Sequence, residues 1–301
     1  MRLGFLGSPA FAVHVLDALV ADGHDVALVV TRPDRRRGRG GTPSPTPVGS
    51  AAQRHGIATT TAVADLLEAD VELGVVVAYG ALVPALVLDA VPMLNLHFSL
   101  LPRWRGAAPL ERAILAGDAR TGVCVMGLEA TLDTGPVYAR AETDVDDKDL
   151  ATLRAELVVA GTGLLGRLLA HGRDGLPVPV PQAGAPTYAK KLTDAELELD
   201  FTRPASELAR VVRLGRARTW AGTRRLAVRR AEVVATVDGA PGELVGDVVT
   251  CGTGGLRLLE VVPEGRRPMS VAAWRRGLRQ PVARLGASAP DGPAEPVRQP
   301  R

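Results

Sequence analysis

The sequence predicts an α/β protein with a doubly wound, mostly parallel sheet, followed by a small β domain. The chain opens with a predicted strand over 2–6, an amphipathic helix over 11–20 and a second strand over 26–31, an order typical of parallel sheets. The β-branched run over 73–79 is typical of a strand buried on both faces. After residue 224, short apolar runs alternate with glycine-containing turns, which indicates a separate all-β domain.

The next predicted strand, over 94–98, places polar side chains on one face at its end. Apolar residues alternate with Asn95, His97 and Ser99, and the period of two residues in a strand points these three side chains the same way. Open α/β sheets bind their ligands at such strand ends. One histidine on a strand is most often structural, but an amide two residues away could help it to stabilise a developing oxyanion. Asn95 and His97 are therefore candidate catalytic residues.

A third candidate, Asp133, follows the predicted strand over 121–128. In Asp133-Thr134-Gly135 the carboxylate is typical of a turn that caps itself, and that is the more common role of such a sequence. At a strand end beside the imidazole it could instead orient His97 and take up a proton. Helices are predicted over 109–116, where Pro109 suits the first position, and over 150–169, which would cover the sheet.

The predicted domains are a catalytic domain over 1–180, a proline-rich linker over 181–204, a basic domain over 205–286 and a disordered tail over 287–301. The basic domain has a small helix near 208–212. Its predicted strands are 225–229, 232–236, 242–245, 247–251 and 255–261. Short strands at this spacing suggest a small OB-like β-barrel.

The net charge of +3 conceals an asymmetry between the two parts of the chain. Residues 1–200 carry a net charge of −6 and residues 201–301 a net charge of +9. Genome bias explains arginine in place of lysine but not the scarcity of acids after residue 200, so a polyanionic partner such as nucleic acid is one interpretation. The loop over 32–47, with five arginines, must lie at the surface, as a solvated linker or as a flap that meets phosphates.

Composition excludes several classes of protein. No apolar run approaches the length of a membrane span, and the turn after the first strand lacks the glycine spacing of a dinucleotide site. Cys124 and Cys251 have no neighbours at metal-ligand spacing, so we expect neither a disulfide framework nor a bound metal. Without an export signal, the cytoplasm is the expected compartment, and no clear sign of an oligomer interface indicates a monomer.

The chain resembles the folate-dependent formyltransferases. The resemblance rests on Asn95-Leu96-His97, on Ser99 to Pro109 with its Trp-Arg-Gly-Ala-Ala-Pro extension, and on Leu132-Asp133-Thr134-Gly135. Further matching segments are 7–12, 33–35 with 38–40, 77–80, 188–192, and 257–260 leading to 269–270. It therefore covers nearly the whole chain and implies a Rossmann-like formyltransferase domain.

The resemblance also implies the reaction and the partners. 10-Formyltetrahydrofolate would give its formyl group to the α-amine of methionine on initiator tRNA, with no metal. Asn95 and His97 would bind the oxygen of the tetrahedral intermediate, and Asp133 would hold His97 and accept the proton of the amine through water. The folate-binding segment would be Ser99, Leu100, Leu101 and Pro102. Arg39 would touch the end of the tRNA, and the basic domain would hold its acceptor arm.

Three departures from the family pattern stand out. Phe98 occupies a position that is usually small, Gly41 and Thr42 replace frequent lysines, and the segment 214–220 is altered. Two other functions remain open at this point. One is formylation of an amino sugar nucleotide or of glycinamide ribonucleotide, which needs no basic domain. The other is RNA binding without catalysis, which gives no reason to keep Asn95, His97 and Asp133 together.

Overall fold

The computed structural model describes residues 1–36, 43–235 and 238–286, so Arg39 and the predicted tail lie outside the described residues. The chain divides into two compact units. The first comprises Met1–Ala113, Asp118–Asp146 and Thr152–Lys191; the second comprises Ile114–Gly117, Asp147–Ala151 and the chain from Leu192. Residues 181–191, predicted as part of a linker, belong to the first unit. The reason is that Tyr188–Ala189 pairs with Arg105–Gly106 in a small parallel sheet.

The first unit is built on a seven-stranded mixed sheet in the order β10-β9-β7-β6-β1-β2-β5. The five strands β7, β6, β1, β2 and β5 run parallel to one another, whereas β9 and β10 are antiparallel to their neighbours. In chain order, the strands are β1 (Arg2–Gly7), β2 (Asp25–Val30), β3 (Arg35–Arg36), β4 (Pro43–Ser44), β5 (Ala58–Thr60), β6 (Leu73–Val77), β7 (Met93–His97), β8 (Arg105–Gly106), β9 (Arg120–Gly127), β10 (Val137–Asp144) and β11 (Tyr188–Ala189). The α-helices are α1 (Ala10–Ala21), α2 (Pro47–Arg54), α3 (Ala85–Ala90), α4 (Pro109–Ala116) and α5 (Leu150–Leu169), and one-turn 3₁₀-helices span Val63–Leu67 and Arg173–Gly175.

The strands of this sheet are as apolar as their position requires. All five residues of β6 and all five of β7 are buried, because the sheet is covered on both faces. The two polar residues of β7, Asn95 and His97, are therefore buried polar groups that need partners or a ligand. Their strand lies between β6 and β9, with Asn95 opposite Val76 and His97 opposite Cys124.

The predicted α/β sheet is confirmed, but its edge strand β10 was missed. The strands predicted from 2–6, 26–31, 73–79, 94–98 and 121–128 correspond to β1, β2, β6, β7 and β9, and the helices over 109–116 and 150–169 have the predicted bounds. Strand β10 escaped prediction because it lies at the edge of the sheet. Its side chains alternate between half-buried and exposed along much of its length, so it lacks the apolar run of a central strand.

The second unit contains a six-stranded antiparallel sheet in the order β12-β13-β16-β15-β14, with β17 paired to β16. Its elements are α6 (Ala205–Arg213), β12 (Arg218–Ala221), β13 (Arg224–Val234), β14 (Leu244–Val245), β15 (Val248–Thr250), β16 (Gly255–Pro263), β17 (Met269–Ser270) and α7 (Val271–Arg276), with a 3₁₀-turn at Ala195–Leu197. The core includes Leu208, Val228, Val249, Leu256 and Trp274.

The prediction of two separate strands over 225–229 and 232–236 was wrong. They form the single strand β13, which continues through register shifts near Arg230 in its pairing with β16. These shifts interrupt the regular pairing without ending the strand. In the sequence, the exposed pair Arg229-Arg230 at this point has the polar character of a turn. The closure of this sheet into an OB-like barrel stays a prediction. Within the described residues, no helix combines the length and the apolar character of a membrane span.

Candidate active site

A cavity of about 580 Å³ lies at the carboxyl ends of β6 and β7 in the first unit. Asn95, His97 and Asp133 all contribute to its lining, together with the loop over 78–83 that follows β6. The three polar residues are 8%, 5% and 7% exposed, so all three are buried although they line the cavity. The structure thus brings the three predicted catalytic residues to one place.

The imidazole of His97 is held by the main chain. Its Nε2 lies 2.9 Å from the carbonyl oxygen of Trp104. Because a carbonyl oxygen only accepts hydrogen bonds, we assign the proton to Nε2, which donates it to Trp104. The other ring nitrogen, Nδ1, lies 3.6 Å from Oδ2 of Asp133. In this arrangement Nδ1 is the atom through which His97 can exchange a proton during a reaction.

The Trp104 carbonyl is itself fixed by three contacts. The Trp104 backbone N–H donates to Oγ1 of Thr187 at 2.9 Å, and the indole Nε1–H donates to Oδ2 of Asp118 at 2.7 Å. The guanidinium of Arg103 lies 4.5 Å from the centre of the indole ring. Its hydrogen bond with Asp118 also raises the pKa of Arg103. Trp104 adopts φ of +63°, an uncommon backbone conformation that these contacts maintain.

Asp133 is positioned as firmly as His97. Its Oδ2 accepts a hydrogen bond from the backbone N–H of Gly106 at 2.7 Å, and φ of Asp133 is +52°. Nε2 of Gln182 donates to the carbonyl oxygens of Asp133 and Gly135, both at 2.8 Å. Oε1 of Gln182 accepts from Nε and a terminal nitrogen of Arg105 at 3.0 and 2.7 Å. Gln182 therefore ties together the two loops that carry Asp133 and Gly106.

Gly106 is required by its surroundings. Its φ is +118°, and a Cβ atom there would lie 2.9 Å from the carbonyl oxygen of Ala189, on the neighbouring strand β11. Since only glycine adopts this conformation easily, its backbone N–H can approach the carboxylate of Asp133 directly. The Trp-Arg-Gly sequence therefore supports both His97 and Asp133.

Comparison with known proteins places this arrangement in a family. A family model described as formyl transferase matches residues 1–160, and a second, described as formyl transferase, C-terminal domain, matches residues 191–279. The chain belongs to the formyl transferase family. It is 45% identical to the methionyl-tRNA formyltransferase of Novosphingobium aromaticivorans, over 95% of this chain and 100% of the relative. It is 42% identical to the methionyl-tRNA formyltransferase of Dinoroseobacter shibae, over 94% of this chain and 99% of the relative.

Solved structures of formyltransferases share the fold. The methionyl-tRNA formyltransferase from Clostridium thermocellum matches with a TM-score of 0.59 at 13% identity, over 90% of this chain and 99% of that one. An N-formyltransferase from Helicobacter canadensis, in complex with folinic acid and dTDP-3-aminofucose, matches with a TM-score of 0.63 at 15% identity, over 87% of this chain and 98% of that one. HypX from Aquifex aeolicus, in complex with tetrahydrofolic acid, matches with a TM-score of 0.63 at 17% identity, over 91% of this chain and 46% of that one.

The predicted folate-binding segment of this formyl transferase has mainly packing contacts. The hydroxyl of Ser99 is fully buried and donates to the carbonyl oxygen of Arg103 at 2.6 Å. Leu101 packs against Cys124 and Met126 behind the strand. Among the described residues that line the cavity, Ser99, Leu100, Leu101 and Pro102 do not occur. Their role in folate binding stays a prediction, as does that of Arg39.

The expectation that Ser99 shares the face of Asn95 and His97 needs a correction. Strand β7 ends at His97, and the backbone N–H of Ser99 turns back to donate to the carbonyl oxygen of His97 at 3.0 Å. The period of two therefore stops before Ser99, and Phe98 enters the lining of the cavity instead. Phe98 meets the ring of Phe11 edge to face, with centroids 5.6 Å apart.

Several residues of the site had no clear signal in the sequence. Gln182 lies in the stretch predicted as a proline-rich linker, and the role of Trp104 depends on its backbone carbonyl rather than its side chain. Glu111 and Arg154 lie on helices α4 and α5, and both line the cavity. Within the residues described here, no group of three or more His, Cys, Asp or Glu side chains is arranged to hold a metal.

Proposed function

We propose that this protein transfers the formyl group of 10-formyltetrahydrofolate to the α-amine of methionine on initiator tRNA. The observation that carries the proposal is the similarity across both units: a relative named methionyl-tRNA formyltransferase is 45% identical over 95% of this chain. The similarity therefore includes the second unit, which contains the basic final third of the chain. The cavity with Asn95, His97 and Asp133 supplies the chemistry.

In the proposed reaction, the amine nitrogen forms a bond with the formyl carbon, and the bond from that carbon to N10 of the folate breaks. Negative charge develops on the formyl oxygen, where the amide of Asn95 and a protonated Nδ1 of His97 can donate hydrogen bonds. The amine must lose a proton and N10 must gain one. Asp133 takes the proton from the amine, directly or through water, at the carboxylate that faces Nδ1 of His97 at 3.6 Å, and the same proton passes to N10 as the carbon–nitrogen bond of the folate breaks.

The cavity suits a folate as well as an amine. Ala78, Gly80 and Ala81 of the loop over 78–83 are exposed residues that line the cavity, and we propose that main-chain groups of this loop pair with the hydrogen-bonding edge of a fused heterocycle. Two leucines of the lining, Leu82 and Leu132, are 73% and 52% exposed, and such apolar surface suits the flat face of a ring system. The segment 99–102 supports this binding from behind, in our proposal, by fixing the loop that leads to Trp104.

Recognition of tRNA is assigned, in this proposal, to the second unit and to Arg39. Residues 201–301 carry a net charge of +9, which favours a phosphate backbone. In the second unit, the guanidinium of Arg225 lies 5.1 Å from the centre of the Trp220 ring, a pairing that offers both charge and a stacking surface. A monomer that acts in the cytoplasm remains our expectation for the assembly and its location.

The test is an acceptor assay. The protein is incubated with 10-formyltetrahydrofolate and, separately, with initiator methionyl-tRNA, an amino sugar nucleotide and glycinamide ribonucleotide. We expect efficient formylation of the tRNA alone, with an affinity for tRNA that falls steeply as salt is added. Arg39→Ala should weaken transfer to tRNA more than it weakens folate binding. Formylation of the sugar or the ribonucleotide without any formylation of tRNA would reject the proposal, and tRNA binding without transfer would favour an RNA-binding protein.

A further inference from the structure

One wall of the cavity is a continuous series of side chains that begins next to His97. Phe98 meets Phe11 edge to face at 5.6 Å, and the guanidinium of Arg154 lies 5.3 Å from the centre of the Phe11 ring. A terminal nitrogen of Arg154 is 3.1 Å from Oε1 of Glu111. These four residues all line the cavity, so the wall passes from two aromatic rings to an ion pair.

The ion pair at the end of this wall differs from the ion pairs on the surface of the same unit. The side chains of Arg154 and Glu111 are 28% and 16% exposed, whereas those of Arg120 and Glu142 are 60% and 33% exposed at a similar distance of 3.0 Å. Exposed pairs contribute little to stability, and their charges are screened. The charge of Arg154 is less screened, and in its position on the Phe11 ring it would attract an anion in the cavity unless Glu111 neutralised it.

The wall suits the side chain of the acceptor amino acid better than it suits the folate. It starts at Phe98, directly after His97, so a substituent on the α-carbon of the amine that reacts there can extend along it. The side chains of Phe98 and Phe11 offer no hydrogen-bonding atoms, whereas the loop over 78–83, to which the proposal assigns the folate, contributes the exposed residues Ala78, Gly80 and Ala81 to the lining. A thioether makes favourable contacts with aromatic rings, so a methionine side chain fits such a surface.

We infer that Glu111 and Arg154 form a charge-neutral end to the subsite for the acceptor side chain, and that Glu111 excludes acidic side chains by occupying the guanidinium of Arg154. The inference rests on the proposed function. Glutamate and methionine side chains have similar lengths, so size alone separates them poorly. A carboxylate that met the free guanidinium would gain a charge-assisted, two-point hydrogen bond. With Glu111 in place, the same carboxylate meets a second negative charge instead.

The experiment compares initiator tRNA charged with methionine, glutamine or glutamate as acceptors for the wild-type protein and three variants. Glu111→Gln removes the negative charge and keeps the shape, Arg154→Met removes the cation, and the third variant combines the two. We expect Glu111→Gln to raise the ratio of kcat/KM for glutamyl-tRNA to kcat/KM for methionyl-tRNA at least about tenfold, because an uncompensated guanidinium then faces the subsite. The combined variant should lose that gain, since it lacks the cation.

Two controls separate charge from general loosening of the site. The ratio for glutaminyl-tRNA should change less than about threefold in Glu111→Gln, because glutamine has the shape of glutamate without its charge. Glu142→Gln removes the acid of the surface pair with Arg120 and should leave both ratios at their wild-type values. Thermal unfolding and folate binding are measured for each variant, and Glu111→Ala replaces Glu111→Gln if the latter does not fold.

An unchanged ratio for glutamyl-tRNA in Glu111→Gln would overturn the inference. So would an equal rise for glutaminyl-tRNA, or persistence of the gain in the combined variant. These results differ from a failure of the proposed function, in which the wild-type protein formylates no aminoacyl-tRNA at all.

Discussion

The substitution Asp133→Asn tests the proposed chemistry most directly. It removes one negative charge and leaves the shape of the side chain, and an amide oxygen can still accept the hydrogen bond from Gly106 that Oδ2 accepts at 2.7 Å. The hydrogen bond from the side-chain Nε2 of Gln182 to the backbone carbonyl of residue 133 is unaffected, because it does not involve the side chain of residue 133. The loop should therefore keep its position while the site loses its carboxylate.

The expected loss of rate follows from the distance between the two groups. The proposal requires a positive charge on His97 when Nδ1 donates to the formyl oxygen, and Nδ1 lies 3.6 Å from Oδ2 of Asp133. With an effective dielectric constant between that of water, about 80, and about 20 for a partly buried pair, the lost attraction is about 1 to 5 kcal/mol. The rate should fall by roughly tenfold to a few thousandfold. The loss of the proton acceptor adds to this, so we expect a value near the upper end.

The assay is single-turnover transfer of a labelled formyl group to initiator methionyl-tRNA at saturating folate. Asp25→Asn is the matched control, because Asp25, the first residue of β2, forms an exposed ion pair with Arg2 of β1, and the side chain of Asp25 is 61% exposed. The control should react like the wild type. Transfer by Asp133→Asn within about twofold of the wild-type rate, with normal folate binding, would refute the assignment of Asp133. A loss of rate that only follows a loss of thermal stability would refute it as well.

Three further predictions follow from the same geometry. Asn95→Ala and His97→Ala should each slow transfer by roughly 10² to 10³, the range for removal of one oxyanion donor, with a normal far-UV circular dichroism spectrum; near-normal rates would remove them from the mechanism. Gln182→Ala should lower the free energy of unfolding by about 1 to 3 kcal/mol, because it leaves the carbonyls of Asp133 and Gly135 without their donor, and it should also slow transfer. Calorimetry measures the loss of stability and the transfer assay the loss of rate, and an unchanged midpoint of thermal unfolding would contradict this role. Burial raises the pKa of the Cys251 thiol to about 11 and also raises that of Cys124, so at pH 8 both should resist a thiol reagent in the folded protein and react once it is unfolded; rapid labelling of the folded protein would contradict the burial.

The fold was predictable wherever burial imposed a period on the sequence. Strands β6 and β7 lie in the middle of the sheet, and the pattern of their buried apolar residues predicts both strands. The same reasoning missed β10, because an edge strand needs only half of its residues to be apolar. It divided β13 in two because Arg229 and Arg230 face solvent at the point where the pairing shifts register. Exposure, rather than a weak tendency to form strands, is the cause of both errors.

The sequence predicted the polar side chains of the site but not the contacts that hold them in place. Asn95 and His97 share a strand face. The adjacent strand β9 is antiparallel to β7 and ends opposite Leu94, so the loop after β9, rather than the topology of the sheet, brings Asp133 to His97. Gln182 is separated from Asp133 by 49 residues and makes its contact through backbone carbonyls, which leave no pattern in a sequence. Arg154 and Glu111 meet across two helices, and an ion pair at a separation of 43 residues has no local signature either.

The contacts that hold His97 in place also determine which ring nitrogen faces the site. A histidine in a sequence offers two nitrogens, and the sequence does not distinguish them. In the structure, the Trp104 carbonyl accepts the proton of Nε2, and Thr187 and Asp118 hold that carbonyl in place through the backbone and the ring of Trp104. Nδ1 is then the ring nitrogen that faces the carboxylate of Asp133, at 3.6 Å from Oδ2. In the proposed mechanism, Asp133 takes the proton of the amine next to Nδ1 of His97, and the ring presents Nδ1 there because a main-chain carbonyl seven residues after His97 holds Nε2.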